Sequence, residues 1–228
     1  MTTEEKSVAD PQTTRSEEDI RNPLFARLYH YVLGREGKKM VRYRRELLEG
    51  LTGVVVEIGP GNGPNFALYP GAVKRVVAVE PEPYLRQKAT EAARSAPVPI
   101  SVTAGTADDL PVEDGEADAV VLTLVLCSVP DQLSALAEAA RVLTPRGELR
   151  VFEHVGADQA IAQAALKTAE ATFWRRAFGN CHPTRHTLTA IQQAGFDVSG
   201  VRRFAMKASP IEPPLPYIHG IARRSGQP

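Results

Sequence analysis

Cysteine is nearly absent from these 228 residues: only Cys127 and Cys181 occur, with no C-x-x-C spacing. That scarcity excludes a disulfide framework and fits a reducing compartment. The pairs Cys181-His182 and Arg185-His186, taken with His154, match no common zinc spacing, so no metal is expected. Long apolar runs are missing too. The longest, Ala119 to Val129, is too short to span a bilayer and reads as a core strand. The opening residues lack the basic-then-apolar start of a secretory leader, so a cytoplasmic location is expected. Charge of one sign is also lacking, since 27 Lys and Arg balance 27 Asp and Glu. That balance argues against a broad nucleic-acid surface, and no Asn/Asp-Pro-Pro-Tyr motif occurs. Internal repeats and low-complexity stretches are absent. What remains is ordinary globular composition, 43% hydrophobic and 24% charged, with length for one α/β domain.

The informative stretch is Val54-Val55-Val56-Glu57-Ile58-Gly59-Pro60-Gly61-Asn62-Gly63. Three β-branched residues predict a strand buried on both faces. It stops at three alternate glycines, which tolerate positive φ and let a ligand approach bare backbone. Pro64 then suits the first turn of a helix. The spacing fails the dinucleotide fingerprint G-x-G-x-x-G, whose last glycine falls on Pro64 when read from Gly59 and on Phe66 when read from Gly61. No lysine follows, so it is not a P-loop. Glu57, just before the glycines, disfavours a pyrophosphate and suits a cationic group. A second buried strand, Arg75-Val76-Val77-Ala78-Val79, ends in Glu80, where a ribose-hydroxyl acceptor is expected. A ligand with a ribose, a positive charge and no phosphate is S-adenosylmethionine (SAM).

The E-x-G-x-G-x-G pattern together with Glu80 resembles motif I and the ribose acid of class I SAM-dependent methyltransferases. Three further stretches, Asn65 to Pro70, Leu122 to Val129 and Glu153-His154-Val155, resemble the methyltransferase-like thiol S-methyltransferases of animals and their bacterial relatives. The resemblance implies an α/β class I methyltransferase (Rossmann-like) fold. Its sheet would be mostly parallel and seven-stranded, with an antiparallel C-terminal hairpin. The animal enzymes carry an N-terminal membrane anchor; this chain shows no such segment, so no membrane association is expected.

Taken in order, Met1 to Arg21 reads as a disordered tail. The methyltransferase domain then spans 22–228, opening with an amphipathic helix from Leu24 to Val32 that, by the resemblance, lids the cofactor, with packing on the sheet edge as the alternative. A second helix is expected over Arg35 to Glu49. Strands are expected at Val54 to Ile58, Val76 to Val79, Ile100 to Thr103, Asp118 to Leu126 and Glu148 to Glu153. Helices are expected at Asn62 to Leu68, Pro83 to Ala93, Asp131 to Leu143 and Ala157 to Phe178, with another capped by Thr184 and ending at Gly195. Strands near Val198 to Phe204 and Tyr217 to Arg223 would form the hairpin.

Ligands of open α/β sheets bind beyond the carboxyl ends of the strands. The expected cofactor set is therefore Glu57, Gly59, Gly61, Gly63, Asn65, Glu80, Pro81, Thr106, Ala107, Asp108 and Leu124. The segment after strand three reads Gly-Asp-Ala-Glu in many family members. Here Thr106 replaces the first acid, and Asp108 or a backbone carbonyl would take over its contact to adenine. Tyr29, Cys127, Phe173 and Arg185 are the expected substrate-binding residues. His154 is the candidate base, with an orienting role as the alternative. The expected reaction is methyl transfer from SAM to a small molecule, by the resemblance a thiol. The alternatives are O- or N-methylation of a metabolite and a non-catalytic SAM-binding regulatory module. Oligomeric state is not readable.

Overall fold

The structure, a computed structural model, describes residues 26–27, 30, 37–175, 179–207 and 214–226. The expected tail, Tyr29 and Phe178 lie outside the described residues, as does most of the Leu24 to Val32 helix. Helix α1, Lys38–Leu48, precedes strands β1, Gly53–Ile58, and β2, Val73–Val79. Helix α2, Pro83–Ala93, leads to β3, Ile100–Thr103, and β4, Ala117–Thr123. Then come α3, Gln132–Val142, β5, Leu143–His154, and α4, Ala160–Ala169. Helix α5, Thr187–Gln193, and strands β6, Phe196–Asp197, β7, Val201–Met206, and β8, Leu215–Arg224, complete the order.

The sheet runs β3-β2-β1-β4-β5-β8-β6, with β7 also paired to β8. The five strands from β3 to β5 are mutually parallel, and β8 is antiparallel to β5, β6 and β7. This is the expected class I topology with one more strand than the seven expected. The extra one is the two-residue β6, too short for alternation to reveal.

Period-two alternation sorts the apolar residues into two cores. Val56, Ile58, Val77, Val79, Val120, Leu122, Leu149 and Val151 face the layer that holds α3 and α5. Val55, Val76, Ala78, Ala119, Val121 and Phe152 face α1, α2 and the residues around Trp174. Both faces are thus covered, as a parallel sheet requires.

Several boundaries differ from expectation, each for a local reason. Strand β4 stops at Thr123 rather than Leu126, because Leu124 adopts a left-handed φ of 60° and turns the chain. Strand β5 begins at Leu143 and accommodates Pro145-Arg146-Gly147 as an irregularity, since Ala117 pairs with Leu143 and Ala119 with Glu148. The expected helix from Asn62 is only a 3-10 turn, Phe66–Leu68. The long helix after β5 changes to a π-helical turn over Glu170–Trp174, which rotates Trp174 into the core and leaves Phe173 outside. Thr184 is not a helix cap. Its hydroxyl donates to Glu170 Oε2 at 2.5 Å, and His186 precedes α5 instead.

A buried polar network fixes the first strand end. Glu57 is 2% exposed, and its carboxylate accepts from Asn65 Nδ2 at 2.8 Å and from the Tyr69 hydroxyl at 2.7 Å. Asn65 also donates to Thr123 Oγ1 at 3.2 Å and accepts from Arg44 at 3.0 Å. One cluster therefore ties α1, the end of β1, the 3-10 turn and the end of β4. Burial pushes the Glu57 carboxyl above its usual range, against the pull of the Tyr69 and Asn65 hydrogen bonds. Tyr69→Phe is expected to remove one donor from this carboxylate and cost about 1–3 kcal/mol of stability. Urea unfolding checks it: the midpoint should fall with an unchanged m-value. An unmoved midpoint would show that Glu57 is satisfied without the phenol.

Candidate functional site

The carboxyl ends of β1, β2 and β4 converge at the glycine turn. Gly59, Gly61 and Gly63 have φ of 62°, 59° and 83°, a region that side-chain-bearing residues avoid. Space is equally restrictive at two of them. A Cβ at Gly59 would lie 2.8 Å from Val125 Cγ2, and one at Gly63 would lie 2.7 Å from Phe66 Cδ2. The turn is held by Glu80, which is 5% exposed. Its Oε2 accepts from Gly61 N–H at 2.9 Å and its Oε1 from Glu82 N–H at 3.0 Å. Burial raises this carboxyl to about 7 against those two hydrogen bonds. Each oxygen keeps a second lone pair for a further donor. Asn62 Oδ1, in the same turn, is buried with no partner among the described residues.

The other cofactor candidates flank this turn. Pro81 is half-buried, and its carbonyl accepts from Arg86 at 2.9 Å. Thr106 bridges to Asp109, Ala107 packs on the core and Asp108 is exposed. Leu124 occupies the left-handed corner at the end of β4. Glu57 and Asn65 lie beneath the turn and are bonded to each other rather than open to the cleft. From the N-terminal segment, His30 Nδ1 lies 3.3 Å from Asn62 Nδ2, and the His30 ring meets Tyr84 edge-on at 5.9 Å.

A second cluster forms where β4, β5, β8 and the loop before α5 meet. Glu153 is fully buried, and its Oε1 accepts from Val125 N–H at 2.8 Å. Its Oε2 has no partner of its own among the described residues. Burial drives the Glu153 carboxyl up to about 8, although the N–H groups of Val125, Leu126 and Cys127 oppose that rise. His154 bonds through Nε2 to the Tyr217 hydroxyl. Its Nδ1 faces the Cys181 sulfur at 3.8 Å. Cys127 Sγ lies 3.5 Å from Ser128 Oγ.

The structure thus brings His154 and Cys127 into one cluster and gives Arg185 and Phe173 other surroundings. Arg185 donates to the Leu126 and Val129 carbonyls at 2.7 Å each, so its guanidinium holds the β4–α3 loop. Phe173 is 55% exposed, while its neighbour Trp174 is 7% exposed and borders Cys181. Two members of the cluster were missed. Tyr217 reads in sequence only as the start of a strand, and Cys181 only as part of a rejected metal pattern. Antiparallel pairing of β8 with β5 places Tyr217 opposite His154, and that register is invisible until the hairpin is known.

A protein-family model described as a methyltransferase domain matches residues 56–151. Human thiol S-methyltransferase TMT1A is 32% identical over 177 residues, which cover 74% of this chain and 69% of the human one. Human TMT1B is 30% identical over 211 residues, covering 86% and 83%. The chain belongs to the class I SAM-dependent methyltransferases. Among solved structures, a SAM-dependent methyltransferase from Thermotoga maritima superposes with a TM-score of 0.61 at 22% identity, covering 87% of this chain and 96% of that one. The [4+2]-cyclase SpnF also shares the fold, with a TM-score of 0.59 at 19% identity over 72% of this chain and 58% of that one. A likeness of that kind speaks for fold alone.

This methyltransferase uses SAM as cofactor, and its residues fit that group. The glycine-rich turn, the buried Glu80 carboxyl group and the Asn62 oxygen, unpartnered among the described residues, form a cradle with acceptors for hydroxyl and ammonium donors. Among the described residues, no helix is long and apolar enough to cross a membrane.

The raised Glu153 carboxyl has a consequence for stability. The folded chain holds this proton more tightly than the unfolded chain, whose carboxyl titrates near the ordinary 4.5. Its contribution is complete below that value and is lost as pH rises through about 8. Glu153→Gln cannot titrate, so its stability profile is expected to be flatter across this window. Thermal unfolding of both proteins across that range measures it. Parallel profiles would show that the Glu153 carboxyl titrates alike in both states.

Proposed function

We propose that this methyltransferase transfers the methyl group to the sulfur of a small-molecule thiol. The observation that carries the reading is the similarity to thiol S-methyltransferases, 30–35% identical over 71–86% of this chain. Geometry is in keeping with it. The two stretches that carry the family resemblance, Leu122 to Val129 and Glu153 to Val155, meet through the Val125–Glu153 hydrogen bond at 2.8 Å. They border the turn assigned to the cofactor, since Val125 packs where a Cβ at Gly59 would lie.

When bound, SAM supplies a methyl carbon made electrophilic by its sulfonium. In this reading Glu80 accepts the ribose hydroxyls, and Gly59, Gly61 and Gly63 let the ligand approach the backbone. Pro81, Thr106, Ala107 and Asp108 border the adenine, and Leu124 lines the methyl end. Glu57 and Asn65 act through the turn they brace, as positioning residues. The domain is taken as 22–228, and the His30–Asn62 contact brings His30 of the N-terminal segment to the cofactor turn.

His154 is assigned as the base that takes the thiol proton. A free thiol has a pKa near about 8.5, so only a few per cent is thiolate at neutral pH. The neighbouring sulfonium favours the anion, and one modest base completes the task. The Tyr217 hydroxyl fixes the ring through Nε2, and Nδ1, which faces the Cys181 sulfur at 3.8 Å, is the nitrogen this role requires. Cys127 shapes the acceptor space, and Arg185 holds its loop.

Two outcomes check these roles. Glu80→Ala is expected to weaken SAM binding by about 1.5–3 kcal/mol, the range for hydrogen bonds to a charged group. Calorimetric titration with SAM reads it directly, and unchanged affinity discards the ribose role. His154→Ala is expected to slow thiol methylation by on the order of a hundredfold at about pH 7 and by less at about pH 9, where the thiol ionises unaided. Release of S-adenosylhomocysteine is the readout, and an equal loss at both pH values would assign His154 a purely structural role. Turnover on phenols or amines with none on any thiol would remove the thiol reading and leave the methyltransferase intact.

A further inference from the structure

The chain has two cysteines, 54 positions apart in sequence, and the fold buries both in one cluster of the core. Cys127 lies just beyond β4, and Cys181 lies in the loop before α5. The two segments are stitched by the His182 N–H to Cys127 carbonyl bond at 2.8 Å and by the two Arg185 bonds to the β4–α3 loop. Both thiols are free, at 2% and 5% exposure. A structural role for a buried cysteine is that of a small apolar side chain. These two instead lie in one buried cluster, each with a polar neighbour.

The neighbours differ, and so does the chemistry of the two sulfurs. The Cys181 sulfur faces His154 Nδ1 at 3.8 Å, with the Trp174 indole alongside, whereas Cys127 Sγ lies 3.5 Å from Ser128 Oγ. The nearby Cys127 thiol and the imidazole hold Cys181 well below the usual thiol range, against its burial. The nearby Cys181 sulfur, with burial, pushes the Cys127 thiol up. Glu153 and Arg185 are the other titratable groups facing the pair. The imidazole beside Cys181 sets that sulfur up as the nucleophile, and Cys127, on the segment bonded to Cys181's neighbour His182, is placed to resolve. That asymmetry is what thiol–disulfide exchange requires of an attacking and a resolving cysteine. Among the described residues no three His, Cys, Asp or Glu side chains are placed to hold a metal.

We propose that Cys127 and Cys181 are a thiol–disulfide exchange pair that reduces small-molecule disulfides, with Cys181 attacking and Cys127 resolving. The Cys181 thiolate attacks one sulfur of a disulfide RSSR. The S–S bond breaks, Cys181–S–S–R forms, and RS⁻ leaves. Cys127 then gives up its proton, attacks Cys181 Sγ and expels the second RS⁻. The protein loses two electrons and becomes the Cys127–Cys181 disulfide, while RSSR gains them and becomes two thiols. An external dithiol returns the pair to its reduced state. This exchange does not rest on the methyl acceptor being a thiol; where it is one, the exchange yields a molecule of the acceptor class beside the methyl-transfer site.

The test uses the full chain without SAM, treated with cystamine and followed by intact mass, peptide mapping and release of cysteamine. The expected result is two equivalents of cysteamine per chain, a mass lower by two hydrogens, and a peptide linking Cys127 to Cys181. Cys127→Ser is expected to stop at one cysteamine bound to Cys181, and Cys181→Ser to lose thiol release. Early quenching of the unsubstituted chain gives the same reading without a variant, because the first mixed disulfide should map to Cys181. Calorimetric SAM binding reports whether each variant is folded. A first adduct on Cys127, a mixed disulfide that persists in the unsubstituted chain, or two cysteines that react only after denaturation would each overturn the proposal.

Discussion

The carboxylate of Glu57 is the constraint on which the cofactor side of this molecule depends. A charged group at the end of a central parallel strand sits where water is excluded, and it persists only if its oxygens are satisfied. Asn65 and Tyr69 do this from the segment that follows the glycine turn, and Arg44 and Thr123 extend the network to α1 and β4. The turn is therefore anchored on both sides of its glycines. A backbone path with three left-handed glycines is costly to order, and the network confines it to one geometry.

The same device recurs two strands away. Glu153 ends β5 as Glu57 ends β1, and it too is buried and aimed at a neighbouring loop. The two differ in how completely they are satisfied. Glu57 has a donor on each oxygen, whereas Glu153 has one oxygen without a partner among the described residues. The incompletely satisfied carboxylate is the one beside His154, Cys127 and Cys181. Buried polar groups left unmatched in an otherwise satisfied core concentrate at functional sites, and this contrast separates a bracing acid from one placed among reactive groups.

Much of the fold was legible because parallel strands are dense in β-branched residues and helix starts carry recognisable caps. Pro83–Ala93 matches expectation to the residue, since Glu82 accepts from Leu85 N–H at 2.7 Å and Pro83 opens the first turn. The end of β4 was not legible. Leu124 turns the chain without a glycine, and its apolar neighbours read as more strand. The glycine turn and Glu80 were readable from spacing alone. The second cluster was not: Tyr217 and Cys181 reach His154 through strand register and a loop, neither of which leaves a local mark. Arg185 was expected to bind substrate, and the fold uses its donors on backbone carbonyls, a partner type that sequence does not announce.

The placement of β8 has a consequence for how the molecule assembles. It is the last strand in sequence, yet it is interior, flanked by β5 on one edge and by β6 and β7 on the other. Its tyrosine pairs with a histidine 63 positions earlier. Contacts of such range must close a large loop before they return any free energy, which slows the steps that form them. The parallel half meets the same cost at its centre, where Val55 of β1 pairs with Ala119 of β4 across a comparable stretch of chain. The His154–Tyr217 pair exists only after the hairpin docks. The cradle and the reactive cluster therefore each wait on a long-range closure, the one between β1 and β4 and the other between β5 and β8.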